Sequence, residues 1–566
     1  MLRTLLALLL LAITSYARAQ RVLVTTYGAR PDSHKDATAA VRRALNALAD
    51  GAALVFPKGR YDFWPDSASK RDWYISNTSS AEECPSKIKT IGILLENKQR
   101  VTIDGNGSTF IFHGKMTPWA LEQCAHVHLR HFTVDFERPT MSEMRFLAVT
   151  PDSIVARIHP DSKYRIGGGR LEWIGEGWKP KQFFAILVDP AAGRYTYSSW
   201  DPFIHATARQ IAPQTVVFRG NFKNQEYRPG TVLTVRDPIR DQVGALIDRS
   251  ADVTLTGIHM QYMHGLGIVA QTSENLTYDS VYVEPGNDGR VIASFADAMH
   301  FSGCKGQITI THCRFRGMHD DPVNVHGTHL RVTRVDGDKL TVRFMHPQTY
   351  GFQQYHPGDS VAFVHATSLQ LFGYARVRSA RLISPTDIEV VLDRAAAAPA
   401  ATLLKPGDVL ENLTWTPSLT VTDCRFEGTN TRGLLVTTRR PVRIEHNVFY
   451  RTGMEAILIA DDASSWYESG EVTDVLIRDN RFEECGYNGG RSAIAIRPED
   501  HEPAPGYTVH RNVRIEDNTF SVVAYPVISA RSTAALVIRD NLIRPSSAAQ
   551  PFALDNCPDA RVEGNH

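Results

Sequence analysis

The chain has 566 residues, 43% of them hydrophobic, which is more than one ordinary compact domain and enough to bury a large core without disulfide or metal staples. Its 62 Lys and Arg meet 61 Asp and Glu for a net charge of +1, which excludes the basic excess of a nucleic-acid protein or of one that sits on anionic membranes. Ordinary counts of 39 Gly and 30 Pro exclude collagen and bulk disorder.

Residues 1–19 read as a secretory signal. Arg3 is the charged start, Leu5 to Ile13 the apolar stretch, and Ala17-Arg18-Ala19 a small-x-small cleavage site. A membrane anchor is the rival reading, but a span needs about 20 apolar residues. No later segment is long enough to span. Cleavage before Gln20 removes Arg3 and Arg18 and leaves a net charge of −1. The expected location is secreted or periplasmic, with no membrane insertion after cleavage. Secretion permits disulfides, yet the seven Cys (84, 124, 304, 313, 424, 485, 557) are odd in number and include no metal-like Cys-x-x-Cys pair.

After Tyr27-Gly28-Ala29-Arg30, the run Asp36-Ala37-Thr38 opens an amphipathic stretch carrying Ala40, Val41, Ala44, Leu45 and Leu48. It predicts a short helix, followed by a strand and turn over Leu54 to Tyr61. Residues 20–136 are assigned to this cap and the first coils of a repeat.

The repeat reads aliphatic-x-x-(Asn, Cys or aliphatic)-x-(aromatic or aliphatic). It occurs at Leu129/Phe132/Val134, Leu255/Ile258/Met260, Tyr278/Val281/Val283, Ile310/Cys313/Phe315 and Val421/Cys424/Phe426. It continues at Ile444/Asn447/Phe449, Ile477/Asn480/Phe482, Ile515/Asn518/Phe520 and Ile538/Asn541/Ile543. The steps 255 to 278, 421 to 444 and 515 to 538 are 23 residues; longer steps are one coil plus a loop. Short strands whose alternate side chains stack inward from coil to coil predict a mainly β fold, a right-handed parallel β-helix. A β-sandwich with coincidental spacing is the weaker alternative. Asn447, Asn480, Asn518 and Asn541 are expected to form a ladder of amides at one bend, and Cys313 and Cys424 to be small core residues.

Two gaps interrupt the count, 129 to 255 and 310 to 421. The first holds Phe146-Leu-Ala-Val, Phe183-Phe-Ala-Ile-Leu-Val and Thr215-Val-Val-Phe. The second holds Leu330-Arg-Val-Thr, Leu340-Thr-Val-Arg-Phe, Ser360-Val-Ala-Phe-Val and Ile388-Glu-Val-Val-Leu. Alternation between Gly, Pro and Asp predicts two inserted small β-barrels or sandwiches. They are placed at 137–250 and 328–417, with solenoid coils at 251–327 and 418–566, and they are positioned to wall a pocket.

Between the inserts lie Phe295-Ala-Asp297-Ala-Met-His300-Phe and Met318-His319-Asp320-Asp321-Pro322-Val323-Asn324-Val325-His326-Gly327. Asp297 and Asp320 are 23 residues apart, so they are expected one coil apart, about 4.8 Å, with Asp321 beside them. Three carboxylates this close raise the pKa of at least one, which suits general acid and base chemistry. A plain turn, a Ca²⁺ site or a Zn²⁺ site using His300, His319 and His326 are the alternatives. The segment offers too few carboxylates for Ca²⁺ and the wrong spacing for Zn²⁺. Counted from the first aliphatic of each coil, Asp321, Arg432 and Glu455 share position +11 and are expected along one groove. Arg432 could bind hydroxyls or restrain a carboxylate, or be an outer-face ion pair. Trp466 is a candidate for stacking on a sugar. His300, Asn324 and His326, in the acidic segments themselves, are candidates for substrate binding.

The N-terminal strand, turn and helix resemble the entry segment of pectate-lyase-like β-helix enzymes, where a helix covers the open end of the solenoid. The two acidic segments resemble those of glycoside hydrolase family 110, whose members are bacterial exo-acting α-1,3-galactosidases with a β-helix and inserted β-barrels. That resemblance covers most of the chain. It implies release of terminal α-1,3-linked galactose from blood-group-B-like glycans or glycoconjugates by inversion, with neither metal nor cofactor. It implies Asp320 as proton donor and leaves Asp297 and Asp321 as candidate bases. Inversion asks for an acid and a base about 6.5–9.5 Å apart, more than direct stacking of coils gives. A polygalacturonase-like endo-hydrolase and a non-catalytic glycan-binding solenoid are the alternatives. A homodimer is possible; no interface is legible.

Overall fold

In the computed structural model, the protein is described over residues 20–178, 184–198, 202–223, 226–393, 403–521, 525–544 and 550–566. The signal at 1–19 and Phe183 lie outside these residues. The fold is a parallel β-helix, as the repeat implied. Its register pairs Leu129 with Leu255, Leu255 with Tyr278, Tyr278 with Ile310, and Ile310 with Val421. The same column runs on through Ile444, Ile477, Ile515 and Ile538. Every step read from the sequence is therefore one rung of a 21-stranded sheet.

Three ladders hold the rungs. The aliphatic column is buried throughout. Phe315, Phe426, Phe449, Phe482 and Phe520 stack face to face, with ring centroids 4.9, 4.6, 5.1 and 4.7 Å apart. At the bend between them the Asn447 backbone N–H donates to Asn480 Oδ1 at 2.9 Å, Asn480 to Asn518 at 2.9 Å and Asn518 to Asn541 at 3.0 Å. Asn565 extends this amide ladder, and Asn447 begins it by accepting from the Cys424 N–H. Each side-chain amide also donates to a carbonyl of the coil before it, as Asn480 Nδ2 does to Ile444 at 2.8 Å. Buried bend amides are thus satisfied internally. Cys313 and Cys424 are buried in the same column, and all seven cysteines are free thiols.

Helix Thr38–Ala47 buries Ala40, Val41, Ala44 and Leu45 against the first coils, and the Thr38 N–H is capped by Asp36 at 2.9 Å. Of the inserts, the first contributes a seven-stranded antiparallel sheet from strands between Met141 and Arg236. The second is a closed six-stranded barrel between Leu330 and Asn412. The boundary at 250 needs correction. Strand Ala245–Asp248 pairs in parallel with Thr117–Glu122 and Ile268–Gln271, so the chain has rejoined the solenoid by residue 245. That strand is fully buried and has no polar alternation to mark the change. No helix among the described residues is long and apolar enough to cross a membrane.

A second parallel sheet, on another face of the coils, sets up the site. Its strands Met299–Ser302, Val323–Thr328, Leu434–Val436 and Ile457–Ile459 are stacked neighbours, in the register Met299, Val323, Leu434, Ile457.

Candidate functional site

Two residues before each of those strand starts stand Asp297, Asp321, Arg432 and Glu455. The column includes the three residues counted to one position in the sequence. It also corrects one expectation. The local step between Met299 and Val323 is 24 residues, so Asp297 is in register with Asp321, and Asp320 lies one residue outside the column. The Ala298 N–H bonds the Asp321 carbonyl at 3.0 Å and confirms the alignment. Bend length sets the register of each sheet separately, so a repeat counted on one face need not transfer to the next.

The three carboxylates share an open cleft, which Arg240 and Arg432 also line. Asp297 and Asp321 are buried; the Asp320 side chain is 25% exposed and faces the opening. Asp321 is gripped by Arg432, whose Nε donates to Oδ1 at 3.0 Å and Nη2 to Oδ2 at 2.7 Å, while the Arg432 backbone N–H adds a bond to Oδ1 at 3.1 Å. Arg240, from the segment that returns from the first insert, donates to Asp320 Oδ2 at 3.2 Å. Asp297 Oδ2 meets His300 Nδ1 at 2.8 Å.

Burial and the neighbouring Asp320 charge push Asp297 well above the usual carboxylate range. Burial raises Asp321 to about 7 against the opposing pull of Arg432. Burial and the nearby His326 lower His300 to about 3, so its ring is neutral. The cleft therefore holds a protonatable carboxyl beside carboxylates with fixed cationic partners, the combination general acid–base chemistry uses.

Not every sequence candidate faces the cleft. Asn324 and Trp466 line it with Arg432. Trp466 is 38% exposed and stacked on His346 of the barrel at 4.0 Å between centroids. His300 and His326 do not line it: both are buried behind Asp297, bonded to each other at 2.9 Å. Glu455 is also misassigned as a substrate contact. It is buried and held by Arg491 and Arg497 at 3.3 and 3.2 Å, because the coil beyond supplies arginines that draw it away. The Zn²⁺ alternative loses its third histidine, since His319 Nε2 bonds Thr234 Oγ1 at 2.7 Å. Among the described residues the inserts do not line the cleft directly; the barrel buttresses it through His346 on Trp466 and Thr349 Oγ1, which donates to Asn77 Oδ1 at 2.8 Å.

Sequence reasoning missed Asn77, Arg240, Asp462, Glu468 and Glu499, all of which line the cleft. Glu468 Oε1 accepts from Asn77 Nδ2 at 2.8 Å and Asn324 Nδ2 at 3.3 Å. Asp462 shapes the loop that carries Trp466 by accepting the N–H groups of Ser464, Ser465 and Tyr467 at 2.7, 2.8 and 3.0 Å. These residues sit on excursions between rungs, where no periodicity marks them. The nearest signal was the acidic and aromatic run Asp461 to Glu468.

Residues 142–233 match the GLAA-B beta-barrel domain I family and residues 339–410 the GLAA-B beta-barrel domain II family. An alpha-1,3-galactosidase A of Bacteroides fragilis is 46% identical over 96% of this chain and 91% of its own. An alpha-1,3-galactosidase A of Bacteroides thetaiotaomicron is 36% identical over 97% of this chain and 96% of its own. Among solved structures, a family 28 exopolygalacturonase of Yersinia enterocolitica has a TM-score of 0.43 at 10% identity over 97% of this chain and 79% of that one, a likeness too loose to bear on chemistry.

Proposed function

The chain belongs to the alpha-1,3-galactosidase family with GLAA-B β-barrel domains, and on that premise we propose that it is a secreted, exo-acting, inverting hydrolase of terminal α-1,3-linked galactose. Its substrates on this reading are blood-group-B-like and related glycans. The observation that carries the reading is the cleft in which Asp297, Asp320 and Asp321 converge between Arg240 and Arg432.

The roles follow from what each carboxylate has left to offer. Asp320 is the most exposed and sits at the opening, where a glycosidic oxygen can reach it; it is the proton donor. Both oxygens of Asp321 are occupied by Arg432, so it serves to hold that cation and to set the charge of the site. Asp297 is held by His300 through Oδ2 alone and lines the cleft, so it is the base that takes a proton from water. Water adds to the anomeric carbon opposite the leaving group, and β-galactose is released. Trp466 packs against the apolar face of the sugar.

The acidic lining favours this over a polyuronate hydrolase. Asp297, Asp320, Asp321, Asp462, Glu468 and Glu499 line the cleft against Arg240 and Arg432, which repels a polyanion. The deciding experiment incubates the purified protein with linear Galα1-3Gal and branched B-type trisaccharide and follows the first anomer released by proton NMR. β-Galactose is expected; α-galactose first, or oligogalacturonides from polygalacturonate, overturns the assignment. Secretion is tested by the N-terminus of the mature protein, expected at Gln20.

A further inference from the structure

Behind Asp297 a chain of hydrogen bonds runs away from the cleft through His300 and His326 to the Gly327 carbonyl. His326 Nδ1 lies 2.6 Å from the Gly327 carbonyl, which can only accept, so Nδ1 carries a proton. In one polarity of the chain the proton between the rings sits on His300, so His300 Nε2 donates to His326 Nε2 at 2.9 Å. Burial favours the neutral His300 ring, so its Nδ1 is then a lone pair, and the hydrogen between Nδ1 and Asp297 Oδ2, 2.8 Å apart, belongs to Asp297. Burial, which raises Asp297, favours this polarity, in which the base rests as a carboxylic acid whose proton points away from the water it must activate.

The same atoms support the opposite polarity. If His326 holds a proton on both nitrogens, His326 Nε2 donates to His300 Nε2, His300 Nδ1 donates to Asp297 Oδ2, and Asp297 is ionised. No heavy atom moves between the two arrangements. The charged groups around the wire come from several elements. Glu468 lies 3.6 Å from His326 Nε2 on a strand paired antiparallel to Gly327 and Thr328. Asp320 and Arg240 act on His300, and Arg432 acts on Asp297 from two coils away. Glu468, the nearest of them to His326, is the anion that an imidazolium there would face.

We propose that His300 and His326 form a two-ring proton store that converts Asp297 from acid to base: the Asp297 Oδ2 proton passes to His300 Nδ1 as the His300 Nε2 proton passes to His326 Nε2. One O–H and one N–H bond break and two N–H bonds form. The products are an ionised Asp297 and a His326 imidazolium facing Glu468; no electrons are exchanged. The inference rests on the reading of Asp297 as the base. In the hydrolytic step Asp297 then takes the proton of water while Asp320 gives its own to the leaving oxygen. The site resets by losing one proton to solvent and regaining one at Asp320. His300 and His326 act through Asp297 and are positioning residues.

The test is His326→Gln. Glutamine can donate to the Gly327 carbonyl and accept from His300 Nε2, which preserves both bonds, yet it cannot take up a proton. The expected result is kcat lowered at least about 30-fold at neutral pH with KM within about twofold. Its residual rate should climb about tenfold per pH unit where wild type is flat, because Asp297 must now lose its proton to solvent. A variant with wild-type kcat and pH profile overturns the store. A folding defect, read by thermal melting, is bypassed by neutron diffraction of the wild-type protein. Deuterium is expected on Asp297 Oδ2, His300 Nε2 and His326 Nδ1, and a doubly deuterated His300 overturns the proposal. Failure of the wild-type protein to release galactose instead overturns the functional reading, and the neutron result remains separate from it.

Discussion

Arg432 holds both carboxylate oxygens of Asp321 across 111 residues of chain, with Nη2 to Oδ2 at 2.7 Å and Nε to Oδ1 at 3.0 Å. The whole second barrel lies between them in sequence, yet they occupy consecutive rungs. Removing the cation leaves a buried carboxylate unpaired, which costs about 3–5 kcal/mol for a buried pair, and the lower end applies here because Arg432 is 27% exposed. Arg432→Ala is expected to lower the urea midpoint accordingly and to abolish turnover. Arg432→Lys keeps the charge but loses the planar fork, and is expected to recover stability more than activity.

Asp320→Asn should leave the melting temperature within about 2 °C of wild type, since the side chain is partly exposed, and lower kcat by about 10²–10⁴-fold on natural glycans. With an aryl α-galactoside whose leaving group needs no proton, the loss should be much smaller. Equal losses on both substrates would remove the proton-donor role.

Trp466→Ala is expected to raise KM about tenfold with little change in kcat, because the ring lines the cleft and, on the proposed reading, stacks on the sugar away from the three carboxylates. A fall in kcat at constant KM would place the ring in the chemistry instead.

Stability should fall with alkalinity for a reason remote from the cleft. His113 lies between Asp62 at 3.1 Å and Glu176 at 3.1 Å and is raised from 6.5 to about 9, with burial opposing and the two carboxylates prevailing. A raised histidine stabilises fully below its unfolded value and loses that contribution as pH rises through the folded one. The melting temperature is therefore expected to decline between about pH 6.5 and 9. In His113→Gln that decline should flatten.

The amide ladder was legible in the sequence, and so was each rung of the aliphatic column, because inward positions repeat wherever coils stack. The cluster of Asp297, Asp320 and Asp321 was legible as a cluster. Its register was not, since the bend before Val323 shifts that face by one residue relative to the count of 23. Glu455 was misread because its partners Arg491 and Arg497 come from the next coil, beyond an excursion of variable length. Arg240 and Glu468 were invisible for the same reason: they reach the cleft from outside the repeat. Ala245–Asp248 was hidden by being apolar at every position.

The ladder itself can be probed at Asn480. Its amide accepts the Asn447 N–H and donates to two carbonyls, so Asn480→Ala strands several buried groups at about 1–3 kcal/mol each. Asn480→Cys, the residue used at the equivalent positions 313 and 424, is expected to cost less in urea unfolding.

Each insert leaves the solenoid at a different bend, and the chain returns to the adjacent rung: Leu129 pairs with Leu255 and Ile310 with Val421 as if nothing lay between. The coil stack is thus a chassis with sockets. A designer could exchange the barrel that braces Trp466 for a cap of another shape, reshaping the mouth of the cleft while Asp297, Asp320 and Asp321 keep their seats.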